Sequence, residues 1–355
     1  MGDPASGKLT VKYELDIHVE TQITEYRIYE NVSKPELPCG EVFYGPHIKA
    51  LTVELYGIGV VSIKRIQEII WSITGKMLSI ATGTLYGFCR KFAERGKKSL
   101  EQIEEHLLDS TTAYTDATVV TVNGRQAYIR NVSNDDAVRY YAMSKKSLDA
   151  LRKIEFLAKF AGILVYDHET ALYHFGIDHA ECNTHLLRYL LKNTEDSANG
   201  WSAKLSDLFM EMKQEREKAM AAGKTSFTVE EIERYALRYG EILSTGRVEN
   251  ASTSPKWAKR EEAALLTRLE RYRDNHLLFM KNFEVAFTNN MSERDLRKCK
   301  NRQKVSGGFR NMEGCEMFAN ILSIIETAKR QSYNPYNVIL SLFQSTNPAF
   351  DFGHG

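Results

Sequence analysis

The sequence predicts an α/β fold of the α+β type, in which a mixed sheet is preceded and interrupted by helices. Three observations predict it. Residues 47–108 and 186–285 place apolar side chains at helical spacing, residues 111–144 have the alternation and turns of strands, and "GILVYD" (162–167) is a short apolar run that ends in an acid. The length of 355 residues is enough for two or three packing units.

The composition is that of an ordinary soluble protein, with 43% hydrophobic and 26% charged residues. Lys and Arg number 47 and Asp and Glu 46, which excludes a uniformly basic protein but allows local basic patches. The apolar runs are too short to span a bilayer, and the first residues lack the apolar core of a signal peptide. The five cysteines are scattered and odd in number, which favours reduced thiols. We therefore expect a cytoplasmic protein without membrane contact.

The amino-terminal part divides into two predicted regions. Residues 9–19 alternate strictly between apolar and polar and predict a strand, and residues 32–46 contain three prolines and two glycines and predict a linker. Residues 1–44 are therefore expected to form a strand and a linker. Residues 45–108 predict helices separated by short glycine-containing turns, which suits a helix-turn-helix DNA-binding region. A plain helical bundle packed on its neighbour explains the same pattern.

The predicted sheet begins at residue 111. Asn123-Gly124 is a strong hairpin signal between the first two of three antiparallel strands. Residues 147–160 have helical spacing, and the run that follows at 162–167 predicts a strand beside the first one. Together these elements predict a mixed sheet.

A long helical segment follows at 186–285. Thr228 with Glu231 has the pattern of a capping box at the start of one of its helices. The polar stretch 244–255 predicts a loop or hinge. Residues 311–346 predict two final helices.

Three acids on separate predicted elements are candidates for chemistry: Asp116 within the first strand, Asp167 at the end of another, and Glu293 at a helix start. Neighbouring strands lie about 5 Å apart, so acids on them can converge. Three carboxylates can hold two divalent cations through oxygen ligands, and such ions cleave phosphodiesters.

Each acid also has a purely structural explanation. Asp116 fits a strand-edge acid facing solvent, and Asp167 fits a cap on the turn after a strand. Glu293 forms a capping-box pattern with Asn290, three residues earlier, and an i,i+4 pair with Arg297.

His179, Cys182 and His185 are spaced three residues apart in "HAECNTH". Imidazole and thiolate are zinc ligands, so a zinc site with a fourth ligand from His174 or Asp178 is one interpretation. The other, which we favour, is that Cys182 and His185 pack and hydrogen-bond near the sheet edge.

Residues 289–310 form a basic segment with seven cations and only two acids. The predicted DNA-binding cations are Arg294, Arg297, Lys298, Lys300, Arg302, Lys304 and Arg310. At helical spacing, Arg297, Lys300 and Lys304 share one side with Glu293, although a solvated helix face is the simpler explanation. The two glycines of "SGGF" then end the helix and permit a close backbone approach.

Several stretches together resemble transposases of the insertion sequence 66 family. Residues 289–331 are similar to their carboxy-terminal signature, Asn-Asn-x-x-Glu-Arg followed by a basic helix and Lys-x-Ser-Gly-x-Phe-Arg. Residues 114–133 resemble the segment around the family's first Asp. Residues 163–190 resemble the segment around the second, including Cys-x-x-His-Leu-x-Arg. The resemblance extends over about residues 45–346.

The resemblance implies an RNase H-like core with an Asp-Asp-Glu triad that binds Mg²⁺, for which Mn²⁺ can substitute. At the matching positions the triad falls on Asp116, Asp167 and Glu293. The resemblance also supports a role near the active site for Cys182 and His185.

It further implies a division of the chain into five parts. These are residues 1–44, the DNA-binding region 45–108, a catalytic core of 109–185 plus 286–335, the helical insertion 186–285, and a tail at 336–355.

The implied function is metal-dependent cleavage at the ends of a mobile element and strand transfer into target DNA. The implied partners are double-stranded DNA, further copies of the chain on that DNA, and helper proteins from the same element. Two alternatives remain: a decayed, inactive DNA-binding relative, and a nuclease of similar fold that does not join strands. The upstream region has Cys39 as its only cysteine and does not match the cysteine-rich zinc-binding stretch common in the family, which counts for decay. The intact Asp116, Asp167 and Glu293 count against it.

Overall fold

A five-stranded mixed sheet organises the residues that the computed structural model describes, which are 11–28, 41–344, 350 and 352. Its strands are β1 (Thr112–Val122), β2 (Arg125–Ser133), β3 (Val138–Met143), β4 (Ile163–Tyr166) and β5 (Asp178–Glu181). Their order is β3-β2-β1-β4-β5, with β1, β2 and β3 antiparallel and with β4 parallel to β1 and β5 parallel to β4. The predicted mixed sheet is confirmed. The strand β5 is not among the predicted ones, because it is short and mostly polar.

The turn between β1 and β2 is the predicted hairpin. Asn123 and Gly124 both have positive φ, at 49° and 71°. Two central residues with positive φ are typical of the type I′ turn, whose twist matches that of paired strands.

Four helices precede the sheet, as predicted for residues 45–108. They are α1 (Pro46–Gly57), α2 (Ile63–Ile73), α3 (Thr82–Arg95) and α4 (Lys97–Leu108). Two carboxy-terminal helices, α14 (Met312–Arg330) and α15 (Pro335–Phe343), pack against α1 and α3, and α14 also packs against α4 and β3. The helix α15 therefore belongs to the packed core, although residues 336–355 were expected to form a tail.

The helix predicted at 147–160 is divided into α5 (Leu148–Leu151) and α6 (Glu155–Lys159). The chain is extended at Ile154 between them. This break allows Leu151, Ile154 and Phe156 all to be buried in the core.

The long helical segment contains five helices. They are α7 (Asn183–Ser197), α8 (Trp201–Ala221), α9 (Val229–Asn250), α10 (Lys256–Arg271) and α11 (Arg273–Lys281). Their apolar side chains form a second core together with Tyr114, Val165 and Ala180 of the sheet. The other core contains the alternate strand residues Ala113 and Leu164, so the two faces of the sheet belong to two different cores.

The helix α9 begins with the predicted capping box of Thr228 and Glu231. The loop predicted at 244–255 is wrong for residues 244–250, because α9 continues to Asn250. Gly246 explains why the helix continues. A Cβ atom at this position would lie 2.8 Å from both Trp201 and Leu266, so glycine permits close packing of α9 on its neighbours. Ser244 and Thr245 bond back to the carbonyls four residues earlier, which satisfies their hydroxyls inside the helix.

The strand predicted at 9–19 is wrong for residues 11–19, and residues 9 and 10 lie outside the described part. Residues 11–28 have no regular secondary structure. Leu15 is 95% exposed and Tyr13 and Ile17 are each 87% exposed. Alternation alone does not make a strand when no neighbouring strand pairs with it.

The basic segment contains α12 (Asn290–Asp295) and α13 (Arg297–Ser306), followed by the two glycines. Their predicted close backbone approach is to the end of β1. The N–H of Phe309 donates to the carbonyl of Thr121 and the N–H of Asn123 donates to the carbonyl of Phe309, each at 2.8 Å. A Cβ atom on Gly308 would lie 2.3 Å from the Thr121 oxygen. The segment is therefore docked onto the central strand.

None of the helices within the described ranges has the length and apolar character needed to cross a membrane.

Replacing Gly308 with Ala should destabilise the protein more than Gly307→Ala. Both glycines have positive φ, 118° and 68°, so each alanine costs about 1–2 kcal/mol of backbone strain. Only at Gly308 does the new Cβ meet backbone atoms, which adds about 1–3 kcal/mol. We expect a fall in the thermal unfolding midpoint at least about twice that of Gly307→Ala, measured by circular dichroism. Equal falls for the two variants would contradict the close approach.

Candidate active site

Asp116 lies within β1, and Asp167 is the first residue after the parallel neighbour β4. Tyr114 pairs with Val165 in the register of β1 and β4. Asp116 comes two residues after Tyr114 and Asp167 two residues after Val165. Paired strands lie about 4.8 Å apart, so the two acids are neighbours. Burial, and then the nearby Asp167 carboxylate, raise the pKa of Asp116. Asp116 is half-buried on the central strand, which does not fit the alternative of an edge acid facing solvent.

The loop after β4 is held to the sheet by a buried ion pair. Arg130 of β2 is fully buried and donates through Nη2 to both oxygens of Glu169, each at 2.7 Å. Its Nη1 donates to Thr115 Oγ1 at 3.0 Å, and Lys146 lies 3.0 Å from the same Glu169 carboxylate. Glu169 is two residues from Asp167, so this pairing fixes the segment that carries the acid.

A second anchor for this loop is Glu181, at the end of β5. His168 Nδ1 lies 2.7 Å from one oxygen of Glu181, and Arg268 Nη2 lies 2.6 Å from the other. His276 Nε2 is 3.3 Å from the same carboxylate. Burial opposes ionisation, but the bonds with His168 and His276 and the charge of Arg268 prevail and hold the pKa of Glu181 well below its usual range. Glu181 therefore joins the loop to α10 and α11.

Glu293 lies on the short helix α12, and both ends of that helix are attached to the sheet. At its start, Asn289 Nδ2 donates to the Thr115 carbonyl at 2.9 Å. At its end, Asp295 Oδ1 is 2.5 Å from Arg330 Nη2, and Asp295 Oδ2 accepts from Asn131 Nδ2 at 3.0 Å. These two attachments set the position of Glu293 relative to β1 and β2.

Asn131 also links the helix to the first acid. Its Oδ1 accepts the backbone N–H of Asp116 at 3.0 Å, while its Nδ2 donates to Asp295. One buried side chain therefore contacts both the strand that carries Asp116 and the helix that carries Glu293.

The structural explanations for Glu293 are wrong. The residue before α12 is Asn289, not Asn290, and no side chain caps this helix. The contact of the Glu293 carboxylate is with His185 Nε2, at 3.6 Å, and it forms no ion pair with Arg297. The turn-cap explanation for Asp167 is also wrong, because its carboxylate accepts no backbone hydrogen bond in the described structure, and its Oδ1 is buried without any hydrogen-bonding partner.

His185 lies between two of the three acids. Its Nδ1 is 2.9 Å from Asp167 Oδ1, at an orientation that forms no hydrogen bond. Asp167 and then Cys182 raise the pKa of His185 to about 10. Arg188, 3.0 Å from Nε2, has donors only and therefore favours an unprotonated Nε2. The contacts with Asp167 and Arg188 act in opposite directions on the proton, but both hold the ring in one orientation.

Cys182 lies beside this histidine. It is 2% exposed, and its Sγ accepts the N–H of Asn289 at 3.1 Å. One ligand atom each from Cys182, His185 and Asp167 lies within 4.8 Å of the others. His179 is outside this cluster and contacts the Tyr166 hydroxyl at 3.2 Å. Neither His174 nor Asp178 supplies the fourth ligand that the sequence suggested for a zinc site.

Two of the seven predicted DNA-binding cations are used within the fold, which corrects the prediction for them. Arg302 is buried, and its guanidinium carbon lies 4.5 Å from the ring centre of Tyr56 and 5.5 Å from that of Phe318. Lys298 Nζ lies 2.5 Å from Glu326, and both side chains are mostly buried. The other five are exposed: Arg294, Arg297, Lys300, Lys304 and Arg310.

The structure thus places Asp116 and Asp167 on neighbouring segments of β1 and β4, and His185, beside Cys182, contacts both Asp167 and Glu293. The residues that hold them in place are not among the predicted site residues: Arg130, Asn131, Glu169, Glu181, Asn289 and Asp295. One available signal is the pair Arg130-Asn131, two buried polar residues that follow the apolar run 127–129 within β2.

A comparison with protein families agrees with the resemblance. The model described as Transposase IS66 family matches residues 41–317 of the 355. That range includes all three acids and extends from the amino-terminal helices into α14. A search of curated proteins gives no match.

Asp295→Asn should destabilise the protein much more than Glu293→Gln, although the two acids lie on one short helix. Asp295→Asn leaves Arg330 largely buried without its counter-charge, which costs about 2–4 kcal/mol. Glu293 is partly exposed, and among the described residues its carboxylate forms one ion-pair contact, with His185, so Glu293→Gln should change the free energy of unfolding by about 0.5 kcal/mol or less. Denaturant unfolding of both variants measures the difference. A comparable loss of stability in both would show that Glu293 is a structural acid.

Proposed function

The chain belongs to the Transposase IS66 family, and on that premise we propose that it is a DNA transposase. It would cleave phosphodiester bonds at the ends of a mobile element and join the freed ends to target DNA. The observation that carries this proposal is the register of β1 and β4, which places Asp116 beside Asp167, together with the contact of His185 with both Asp167 and Glu293. The sheet order, three antiparallel strands followed by two parallel to the first, supports an RNase H-like core.

The side chains fit a hard divalent cation such as Mg²⁺. Three carboxylates supply the oxygen ligands that Mg²⁺ and Mn²⁺ prefer. Asp167 Oδ1 is buried without a hydrogen-bonding partner, as expected of a ligand atom. When bound there, Mg²⁺ would activate the attacking water or 3′-hydroxyl and stabilise the leaving oxygen.

The protein's own contribution is to hold the acids in place before a metal or DNA arrives. The Arg130–Glu169 pair fixes the segment with Asp167, and Asn289 and Asp295 fix the helix with Glu293. Holding like charges together in advance reduces the reorganisation needed during the reaction.

We assign DNA backbone binding to the five exposed cations of the basic segment. Arg297, Lys300 and Lys304 follow Glu293 in sequence and are all exposed, so phosphates bound by them would lie close to the acids. Such contacts position DNA without reading its sequence.

We assign the helix-turn-helix to α2 and α3. The helices α1, α3 and α4 pack against α14 or the sheet, whereas α2 packs chiefly on α1 and α3 and exposes Lys64 and Arg65. The proposal includes the division into a DNA-binding region at 45–108, a core of 109–185 plus 286–335 and an insertion at 186–285. It also includes action as a homo-oligomer on double-stranded DNA with helper proteins of the same element.

Asp116→Asn should abolish Mg²⁺-dependent cleavage of DNA that carries the element's ends. The substitution removes one carboxylate oxygen ligand, which we expect to cost about 4 kcal/mol in the transition state, or about a thousandfold in rate. Asp178→Asn, at an exposed acid on the edge strand β5, is the control and should cleave normally. Full activity of Asp116→Asn would exclude the proposed site.

The same assay separates the alternatives. Cleavage followed by joining of the 3′ end to target DNA identifies a transposase, and cleavage without joining identifies a nuclease. DNA binding without either reaction identifies a decayed relative.

Lys300→Ala and Lys304→Ala should each weaken DNA binding in a salt-dependent way. If each lysine neutralises one phosphate, its removal lowers the slope of log affinity against log salt by about 0.9. Lys298→Ala is the matched control, since Lys298 is paired with Glu326 and should leave the slope unchanged. Fluorescence anisotropy with a labelled duplex over a range of salt concentrations measures the slopes. An unchanged slope in the Lys300 and Lys304 variants would mean that this face of α13 is only solvated.

A further inference from the structure

We propose that Asp167, Cys182 and His185 form a binding site for a thiophilic divalent cation of the zinc class. This site differs from the three-carboxylate site in two of its three ligands, Cys182 and His185, and the two sites share Asp167. The binding itself does not depend on the proposed function.

The three ligand atoms are already gathered. Asp167 offers a carboxylate oxygen, Cys182 its Sγ and His185 a ring nitrogen, and these atoms all lie within 4.8 Å of one another. Two of them lack hydrogen bonds, since Asp167 Oδ1 and His185 Nδ1 are buried with no partner although they are 2.9 Å apart. The contact between these two atoms is an ion pair that lacks the geometry of a hydrogen bond, and a cation bound by both atoms would replace it.

The backbone fixes these ligands rigidly. Cys182 directly follows β5, and its N–H donates to the Tyr166 carbonyl at 3.0 Å. The N–H of His185 donates to the Cys182 carbonyl at 3.1 Å, in the first turn of the 15-residue helix α7. A spacing of three residues places both side chains on one side of that turn. Asp167 directly follows β4, the strand paired with β5.

The surroundings hold the Cys182 side chain in place. Its Sγ accepts the N–H of Asn289, and the residue directly precedes α7. The other ring nitrogen of His185 contacts Arg188 and Glu293, which fixes the orientation of the imidazole.

The ligand set selects against Mg²⁺. One oxygen, one sulfur and one nitrogen are the donors that Zn²⁺ accepts, and three protein ligands leave a fourth position open. Mg²⁺ requires oxygen donors and binds thiolate poorly. A zinc-class ion would therefore occupy this site in the presence of much more Mg²⁺.

Because the two sites share Asp167, binding at one should affect the other. This expectation rests on the proposed function. An ion held by Cys182 and His185 engages the Asp167 carboxylate, so it would compete with the catalytic metal. Zinc-class ions would then inhibit Mg²⁺-dependent cleavage, and they would do so through Cys182.

Cobalt(II) spectroscopy of the full chain tests the site without any activity measurement. Co²⁺ replaces Zn²⁺ in such sites and gives a thiolate-to-metal charge-transfer band. We expect this band at one ion per chain in the wild type, displaced by Zn²⁺ and unaffected by Mg²⁺. It should be absent in Cys182→Ser, and in His185→Asn the affinity should fall at least about 100-fold.

Cys299→Ser is the control, because Cys299 is buried and is not part of the cluster. It should keep the band, with circular dichroism verifying the fold of every variant. Absence of the band in the folded wild type, or its persistence in folded Cys182→Ser, would overturn the proposed site.

The inhibition is tested separately as the ratio of cleavage rates with and without Zn²⁺. The wild type should lose activity at zinc concentrations that leave this ratio near one in Cys182→Ser. Equal inhibition of both would overturn the competition at Asp167. If no cleavage occurs at all, the proposed function fails and the cobalt result alone still decides the metal site.

Discussion

The pairing of β1 with β4 holds two carboxylates side by side, and much of the surrounding structure serves to keep them there. Burial, and then the neighbouring Asp167 carboxylate, raise the pKa of Asp116, so a charged carboxylate is disfavoured at this position. Such an arrangement persists only when other contacts determine the backbone on both sides. The strand register supplies one such constraint. The buried pair of Arg130 with Glu169 supplies a second constraint, at a position two residues after Asp167.

The buried charges around the site are better understood as positioning groups than as sources of stability. Arg130, Asp295 and Arg330 are mostly removed from water, and a well-packed apolar set would often be at least as stable. Apolar contacts, however, would not define the orientation of a loop or a six-residue helix as closely. The bonds from Arg130 Nη2 to both Glu169 oxygens, and the links from Asn131 to Asp116 and Asp295, do so because hydrogen bonds are directional.

Local patterns were enough to predict most helices, the Asn123-Gly124 hairpin and the strand beside the first, because each depends on neighbouring residues. The failures have long-range causes. Residues 11–19 alternate but pair with no strand among the described residues. The helix α9 continues through a polar stretch and packs Gly246 against Trp201 and Leu266, and the short polar strand β5 pairs with β4. Resemblance indicated Asp116, Asp167 and Glu293. The groups that hold them were not predictable from spacing, because Asn131 and Asp295 are distant in sequence and meet only in the fold.

Glu181 connects the candidate active site to the long helical segment. Its carboxylate is shared between His168, next to Asp167, and Arg268 and His276 of α10 and α11. Tyr239 of α9 contacts the other ring nitrogen of His276 at 3.1 Å, so the chain of contacts continues into the second core. Because removing one partner of such a network leaves a buried charge unpaired, a movement of α10 or α11 against the sheet would disturb the loop that carries Asp167. These two helices are therefore connected to the candidate active site through the buried carboxylate of Glu181.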